Sequence, residues 1–299
     1  MKYGFLVLSF FLSLLRCAGQ LPGVSSGRIV RIDSFPSRYV DSRNIDVWLP
    51  QGYPSAGRYA VLYMHDGQML FDSTITWNHQ EWMADEAAAR LQATGQAMPF
   101  IIVGIPNNGK WRRNEFFPEK AAALLPHPAI DSLKSEMNGP FLADRYLSFL
   151  VKELKPYIDR KFKTNPDAAH TFLAGSSMGG LISLYGLCEY PGVFGGAACL
   201  STHWPGSLKR SSSPIPAAFR GYLAKKLPKP GTRLLYMDHG DKTLDSFYLS
   251  LQPAVDSLVA AKGYRPPFFT SHFFPGADHS ERSWASRLEV PLLFLLRRR

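Results

Sequence analysis

The segment from His170 to Glu189, HTFLAGSSMGGLISLYGLCE, constrains this chain more than any other. An apolar strand, His170 to Ala174, runs straight into Gly-Ser-Ser-Met-Gly. A helical run, Gly180 to Glu189, follows with no spacer. A strand that reverses into a helix through G-x-S-x-G needs glycines where the two arms approach each other, and it holds its serine above the sheet edge. The motif alone decides little, because Gly and Ser are common. Gly23 to Gly27, GVSSG, repeats it with no strand before it and is expected to be a flexible leader. At Gly175 to Gly179 the strand–turn–helix context makes Ser177 a candidate nucleophile, against the plainer reading of a serine N-cap.

The remainder of the chain alternates in the same way. Arg28 to Val40, broken at Pro36, and Ile45 to Leu49 read as an antiparallel strand pair joined by Asp41 to Asn44. Strands then follow at Tyr59 to Met64, Pro99 to Ile105, Val193 to Leu200, Arg233 to Met237 and Pro267 to Phe274. Helices are expected at Trp82 to Leu91, Phe141 to Tyr157, Leu244 to Ala261 and Ser283 to Leu296. Strands separated by helices of this length predict an α/β fold with one doubly wound, mostly parallel sheet. Its ligand site lies at the carboxyl ends of the strands. Residues 106–140 and 201–231 lack clear periodicity and read as loops over that edge, or lids. With 299 residues, 45% hydrophobic and 19% charged, the chain is long enough for a full core and is neither disordered nor fibrous.

A serine hydroxyl needs a general base, and in this kind of fold base and acid follow it in the chain. His279, in GADHSERSW directly after the last strand, is the expected base; His203 and His239 are candidate substrate contacts, and His272 reads as structural. The acid belongs to DHGDKTLD, after the preceding strand. Asp238 closes that strand; Asp245 is preferred, with Asp241 the alternative. Two backbone amides must meet the developing oxyanion. Met178, after the nucleophile, supplies one, and Gln68 in HDGQ supplies the other. Trp111, Arg112, His203 and Trp204, on the long loops, are candidate substrate-binding residues. His65 and Asp66 look like metal ligands, but no other ligand spacing supports a metal, and no cofactor is expected.

The formal charge of +10 raises nucleic acid or an anionic surface as partners. Basic residues are scattered, with dense runs only at Lys110 to Arg113, Lys225 to Lys229 and Arg297 to Arg299, so no nucleic-acid partner is expected. Lys2, the apolar run Phe5 to Leu15 and Ala18-Gly19 read as an export signal over residues 1–19, leaving one domain over 20–299 with a charge of +8. The run is too short for stable membrane insertion. Arg16 makes a poor lipobox, so lipid anchoring at Cys17 is not expected. Cys188 and Cys199 then form one disulfide or remain two buried thiols.

The stretches MHDGQMLFD, IIVGIPNNGKWRRNEFFP, DRYLSFLVKELKPYIDRKF, LAGSSMGGLISLYGLCEYPGVFGGAACLSTHW and GADHSERSWASRL occur in that order over most of residues 36–296. Together they resemble the "putative esterase" family of the α/β-hydrolase superfamily, which includes esterase D, siderophore esterases and feruloyl and acetylxylan carbohydrate esterases. The resemblance implies an α/β-hydrolase fold and a Ser-His-acid hydrolase with Ser177 and His279 on the family's nucleophile and base. It aligns GDKTLD in more than one way, and some siderophore esterases resemble a dyad without a positioned acid. Arg112 and Glu115 fall on a family-like R-x-x-E segment, as an ion pair or as substrate contacts. The expected function is an exported serine carboxylesterase acting on a small-molecule or sugar-linked ester. The alternatives are a siderophore esterase, an acyltransferase with the same triad and a non-catalytic binding module of the same fold.

Overall fold

The strands at the centre of the sheet carry no alternation of polar and apolar residues: β3 (Ala60–His65), β4 (Phe100–Ile105), β5 (Thr171–Ser176), β6 (Gly196–Leu200) and β7 (Leu234–His239) are buried along their whole length. Such runs require cover on both faces. The computed structural model describes residues 20–207 and 213–298 and provides that cover. The export signal expected over residues 1–19, with Cys17, lies outside the described residues.

β1 (Arg28–Phe35), β2 (Arg43–Leu49) and β8 (Phe269–Phe273) complete one eight-stranded sheet in the order β1-β2-β4-β3-β5-β6-β7-β8. β1 pairs with β2 and β2 with β4 antiparallel, and every later pairing is parallel. This is the expected mixed α/β sheet with its N-terminal antiparallel pair. Side chains divide with a period of two. Val61, Tyr63, Ile101, Val103, Leu173 and Leu235 enter the larger core, while Leu62, Met64, Ile102, Phe172 and Tyr236 enter the smaller one. The smaller core is closed by α1 (Ala84–Ala93) and the last helix.

Residues 106–140 are a correction to the expected loop. They form a 3-10 turn (Gly109–Trp111) and three short helices, α2 (Arg112–Phe116), α3 (Glu119–Ala122) and α4 (His127–Glu136). Pro118 and Pro126 cap α3 and α4, and segments this short display no period over a sequence window. Their stability comes from burying Phe116, Phe117, Ala121, Ala122, Leu125, Leu133 and Met137. Next come α5 (Ala143–Phe149), a π-helical turn (Leu150–Leu154) ahead of Pro156, and α6 (Lys155–Lys161), where one helix was expected. α7 (Met178–Glu189) is buried on all sides but its last residue. α8 (Ile215–Lys226) lies inside the second expected loop and buries Ile215, Ala218, Phe219, Tyr222 and Leu223 at helical spacing. α9 (Tyr248–Ala261) follows a 3-10 turn, Thr243–Phe247. The closing helix is split into α10 (Glu281–Ala285) and α11 (Glu289–Leu296).

Gly23 to Gly27 is also a correction, because it is no free leader. Asp72 accepts from the Gly23 amide (2.8 Å), Asp85 accepts from the amides of Ser25 (2.7 Å) and Ser26 (3.3 Å), and Trp48 donates its indole N–H to the Ser26 carbonyl (2.7 Å). The strap therefore docks on the start of α1. Cys188 and Cys199 are both free and buried, with burial raising both thiol pKa values. Among the described residues no helix is long and apolar enough to cross a membrane.

Two predictions come from this packing. Glu115 receives a bidentate pair from Arg43 of β2 (2.7 and 2.8 Å), with both side chains nearly inaccessible, and this ties α2 to the sheet. Glu115→Ala strands a buried guanidinium and is expected to cost about 3–5 kcal/mol in urea unfolding; an unchanged unfolding midpoint would refute the anchor. Asp85 is pushed up to about 7 by burial and by the neighbouring Glu86 carboxyl, against the Ser25 and Ser26 amides. Its folded pKa exceeds the unfolded one, so its contribution is full below the unfolded pKa and is lost as pH rises through about 7. Asp85→Asn keeps an acceptor for the strap and is expected to raise the melting temperature relative to wild type by an amount that opens as pH rises above the unfolded carboxyl pKa and levels off above about 7. A difference independent of pH would count against the raised Asp85 pKa.

Candidate active site

Ser177 sits between β5 and α7 with φ 57° and ψ −121°, a backbone region that a residue with a Cβ occupies only under strain. The turn around it is closed by the Ser177 amide donating to the Leu200 carbonyl (3.0 Å) and by the Ser177 carbonyl accepting from His203 (3.1 Å) and Gly180 (3.1 Å). Gly175 is obligatory here. A Cβ on it would lie 2.8 Å from the Gly179 backbone, so the arms of the turn could not close. Ser177 is 8% exposed at the carboxyl end of the sheet.

The candidate partners come from the ends of the next strands. His279 follows β8, and its Nδ1 donates to Asp245 Oδ1 at 2.6 Å. Asp245, in the 3-10 turn after β7, is 0% exposed. Its other oxygen accepts from Ser201 Oγ (2.6 Å) and the Gly240 amide (2.7 Å). Burial pushes the Asp245 pKa up, but hydrogen bonds from His279, Ser201 and Gly240 outweigh it and hold the carboxyl below the usual range. Asp241, the alternative acid, is used elsewhere: it accepts from the Gly276 amide (2.9 Å) and faces Lys242 (3.6 Å), pinning the turn after β8. Asp238 closes β7, takes Arg287 in a buried pair (3.1 Å) and accepts from Tyr236 (2.9 Å).

Ser201, at φ 41° after β6, joins these groups. Its hydroxyl donates to Asp245 and accepts from Trp284 Nε1 (3.0 Å) and Arg287 (3.0 Å). The imidazole of His279 is further confined by Trp284, edge-on at 5.0 Å, and by Tyr248, edge-on at 5.9 Å. A histidine whose Nδ1–H is fixed by a carboxylate presents an unprotonated Nε2 to a reacting group. Ser201, Trp284, Arg287 and Tyr248 escaped the reading of the sequence. Ser201, Trp284 and Arg287 stood in stretches already singled out, but without a role; Tyr248 did not.

The two candidate oxyanion amides lie on neighbouring strand ends. Met178 is the first residue of α7, so its amide has no acceptor within the helix. Gln68 is the middle residue of the 3-10 turn Gly67–Met69, closed by the Met69 amide on the Asp66 carbonyl (2.9 Å). Gly67 packs against β4 so closely that a Cβ would meet the Ile105 nitrogen at 2.4 Å. His65 and Asp66 are committed to protein partners. His65 Nδ1 lies 2.9 Å from the Tyr146 hydroxyl, and burial lowers its pKa to about 4. Asp66 accepts from Arg112 (2.7 and 2.8 Å) and Asn107 (2.7 Å); these offset its burial and lower its pKa.

The expected substrate contacts divide. Arg112 is partly exposed but pairs with Asp66, not with Glu115, which corrects the R-x-x-E ion-pair reading. Trp111 is partly exposed and packs on Gly139. Trp204 is 1% exposed and donates its indole N–H to Gln252 (2.6 Å), and His203 is buried against Tyr248. Both anchor the loop, so neither presents a face to a ligand. His239 is likewise buried, its Nδ1 2.8 Å from the Gly240 carbonyl. Trp77, in the loop before α1, is 82% exposed. The next residue, Asn78, donates to Glu281 (2.8 Å), two residues after His279.

Comparison with known proteins agrees with this architecture. The chain is 26% identical over 166 residues to the uncharacterized protein YbbA of Bacillus subtilis, covering 54% of this chain and 58% of that one. It is 26% identical over 199 residues to an endo-1,4-beta-xylanase/feruloyl esterase of Xylanibacter ruminicola, covering 62% and 23%. The chain thus spans under two thirds of either relative. An IroE-like serine hydrolase from Shewanella oneidensis superposes with a TM-score of 0.64 at 22% identity, covering 89% of this chain and 79% of that one, so the fold is shared. The family model described as "Putative esterase" matches residues 37–214, more than half of the chain, and the chain belongs to that esterase family.

Proposed function

We propose that this chain is an exported serine carboxylesterase that works through an acyl-enzyme on Ser177. The observation that carries the reading is the strained backbone of Ser177 at the strand-to-helix turn, which lifts one hydroxyl over the sheet edge. His279 takes the Ser177 proton as Oγ attacks the ester carbonyl and returns it to the departing alkoxide. Asp245 fixes the tautomer of His279 and stabilises its charged form. The amides of Met178 and Gln68 receive the oxyanion. Water then resolves the acyl-enzyme by the same proton path.

The esterase family and the feruloyl esterase relative support an ester substrate. The exposed Trp77 and the partly exposed Trp111, which precedes Arg112 in the chain, support one carrying a planar aromatic or sugar ring. Lys2 and the apolar run Phe5 to Leu15 support export.

Hydrolysis of p-nitrophenyl butyrate by the chain from Gln20 tests the assignment. Ser177→Ala is expected to fall to background, and Asp245→Asn to lose on the order of 10⁴-fold in kcat. Asp241→Asn is expected to remain within about threefold of wild type. A large loss with Asp241→Asn and none with Asp245→Asn would reverse the choice of acid.

A further inference from the structure

The segment that carries His279 also carries Trp284 and Arg287, and all three reach Asp245, the first directly and the other two through Ser201. Counting hydrogens fixes the direction of every bond. The Arg287 guanidinium has five N–H groups and no acceptor. Nε and one Nη2 hydrogen go to Asp238 (3.2 and 3.1 Å), and both Nη1 hydrogens go to the carbonyl and hydroxyl of Ser283 (3.1 and 2.9 Å). The second Nη2 hydrogen goes to Ser201 Oγ (3.0 Å). Trp284 Nε1, a donor only, gives its single hydrogen to the same Oγ (3.0 Å). Both lone pairs of the Ser201 hydroxyl are therefore taken, and its own hydrogen goes to Asp245 Oδ2 at 2.6 Å. The backbone is fixed as well, because the Ser201 amide donates to the Asp238 carbonyl (2.9 Å). Ser201 is fully buried, so bulk water is not an alternative partner.

We propose that Ser201 is a positioning residue for the acid of the triad, kept as an obligate donor by Trp284 and Arg287. This rests on the reading of Asp245 and His279 given above. A carboxylate can turn about its Cβ–Cγ bond, and the base needs it in the orientation that puts an oxygen lone pair on His279 Nδ1. Oδ2 is held from two sides, by the Ser201 hydroxyl (2.6 Å) and the Gly240 amide (2.7 Å), which leaves Oδ1 for His279 (2.6 Å). Without the Ser201 hydroxyl, one N–H of the indole and one of the guanidinium lose their acceptor. A buried donor left unpaired is costly, so the carboxylate is drawn toward them and away from the imidazole. His279 then loses the bond that fixes its tautomer, and the loss falls on proton transfer rather than on substrate binding. The segment from His279 to Arg287 thus delivers the base and, through Ser201, holds the acid against it.

The test is a double-mutant cycle on kcat for p-nitrophenyl butyrate, with Ser201→Ala made both in the wild-type protein and in Asp245→Asn. A residue that acts through Asp245 has nothing to act on once the carboxylate is gone, whereas one that only supports the fold costs the same in both backgrounds. In the wild-type background Ser201→Ala is expected to lose about 10²-fold in kcat, with KM within about twofold. In the Asp245→Asn background it is expected to lose no more than about threefold. Trp284→Phe keeps a ring in place but removes one of the two donors, so the Ser201 hydroxyl is free to turn. It is expected to lose about tenfold in kcat in the wild-type background alone, and it carries the test if Ser201→Ala does not fold. Equal losses in the two backgrounds, or an unchanged kcat in both variants, would overturn the proposal. Asp245→Asn protein as active as wild type would instead overturn the reading of Asp245 as the acid. Wild-type protein that neither turns over the ester nor labels with a fluorophosphonate would overturn the esterase reading, and the proposal with it.

Discussion

A carboxylate with no exposure at all, Asp245, is the constraint around which the carboxyl edge of the sheet is organised. An unpaired buried charge is costly, and a protein tolerates it only where donors converge. Three converge here, from three segments: Ser201 after β6, Gly240 after β7 and His279 after β8. Ser201 is in turn held by Trp284 and Arg287 of the last segment, and Arg287 by Asp238. The network locks the ends of three neighbouring strands to one another, so His279 has a fixed position relative to the β5–α7 turn. Positioning of this kind is what a serine nucleophile needs from its base.

The opposite flank is built from salt bridges. Arg43 with Glu115 seats α2 on the antiparallel end of the sheet. Arg112 with Asp66 seats the same helix beside the Gly67 turn. Arg113 with Glu136 (2.7 Å), and Glu136 with Ser207 (2.7 Å), tie α4 to the loop after β6. The segment 106–140 is therefore pinned at both ends of the site. Its Trp111 and Arg112 are partly exposed, whereas Trp204 is buried.

Much of this was legible in the sequence, for a physical reason in each case. Long apolar runs such as FIIVGI report a strand buried on both faces, and G-x-S-x-G between a strand and a helix reports the turn at Ser177. His279 was legible because the order of elements placed it after the last strand. Asp245 was preferred, but spacing alone could not decide between it and Asp241, since their difference lies in which carboxylate the Ser201 hydroxyl and Gly240 amide reach, a contact across 44 residues for Ser201. The short helices α2 to α4 were missed because they owe their existence to burial rather than to a repeating pattern. α8 does show that pattern, at 215, 218, 219, 222 and 223, and was lost among the prolines and serines before it. Trp204 and His203 read as ligand contacts because an aromatic on a long loop looks exposed until packing is known. Tyr248 gave no sign, because only the fold brings its ring against His279.

The central claim is that Ser177 is a nucleophile that becomes acylated. The most direct measurement is peptide mapping of the chain after reaction with a fluorophosphonate or after rapid acid quench with p-nitrophenyl butyrate. The account predicts a single adduct on Ser177, with Ser176 and Ser183 of the same peptide unmodified. An adduct on another residue, or none on folded protein, would contradict it.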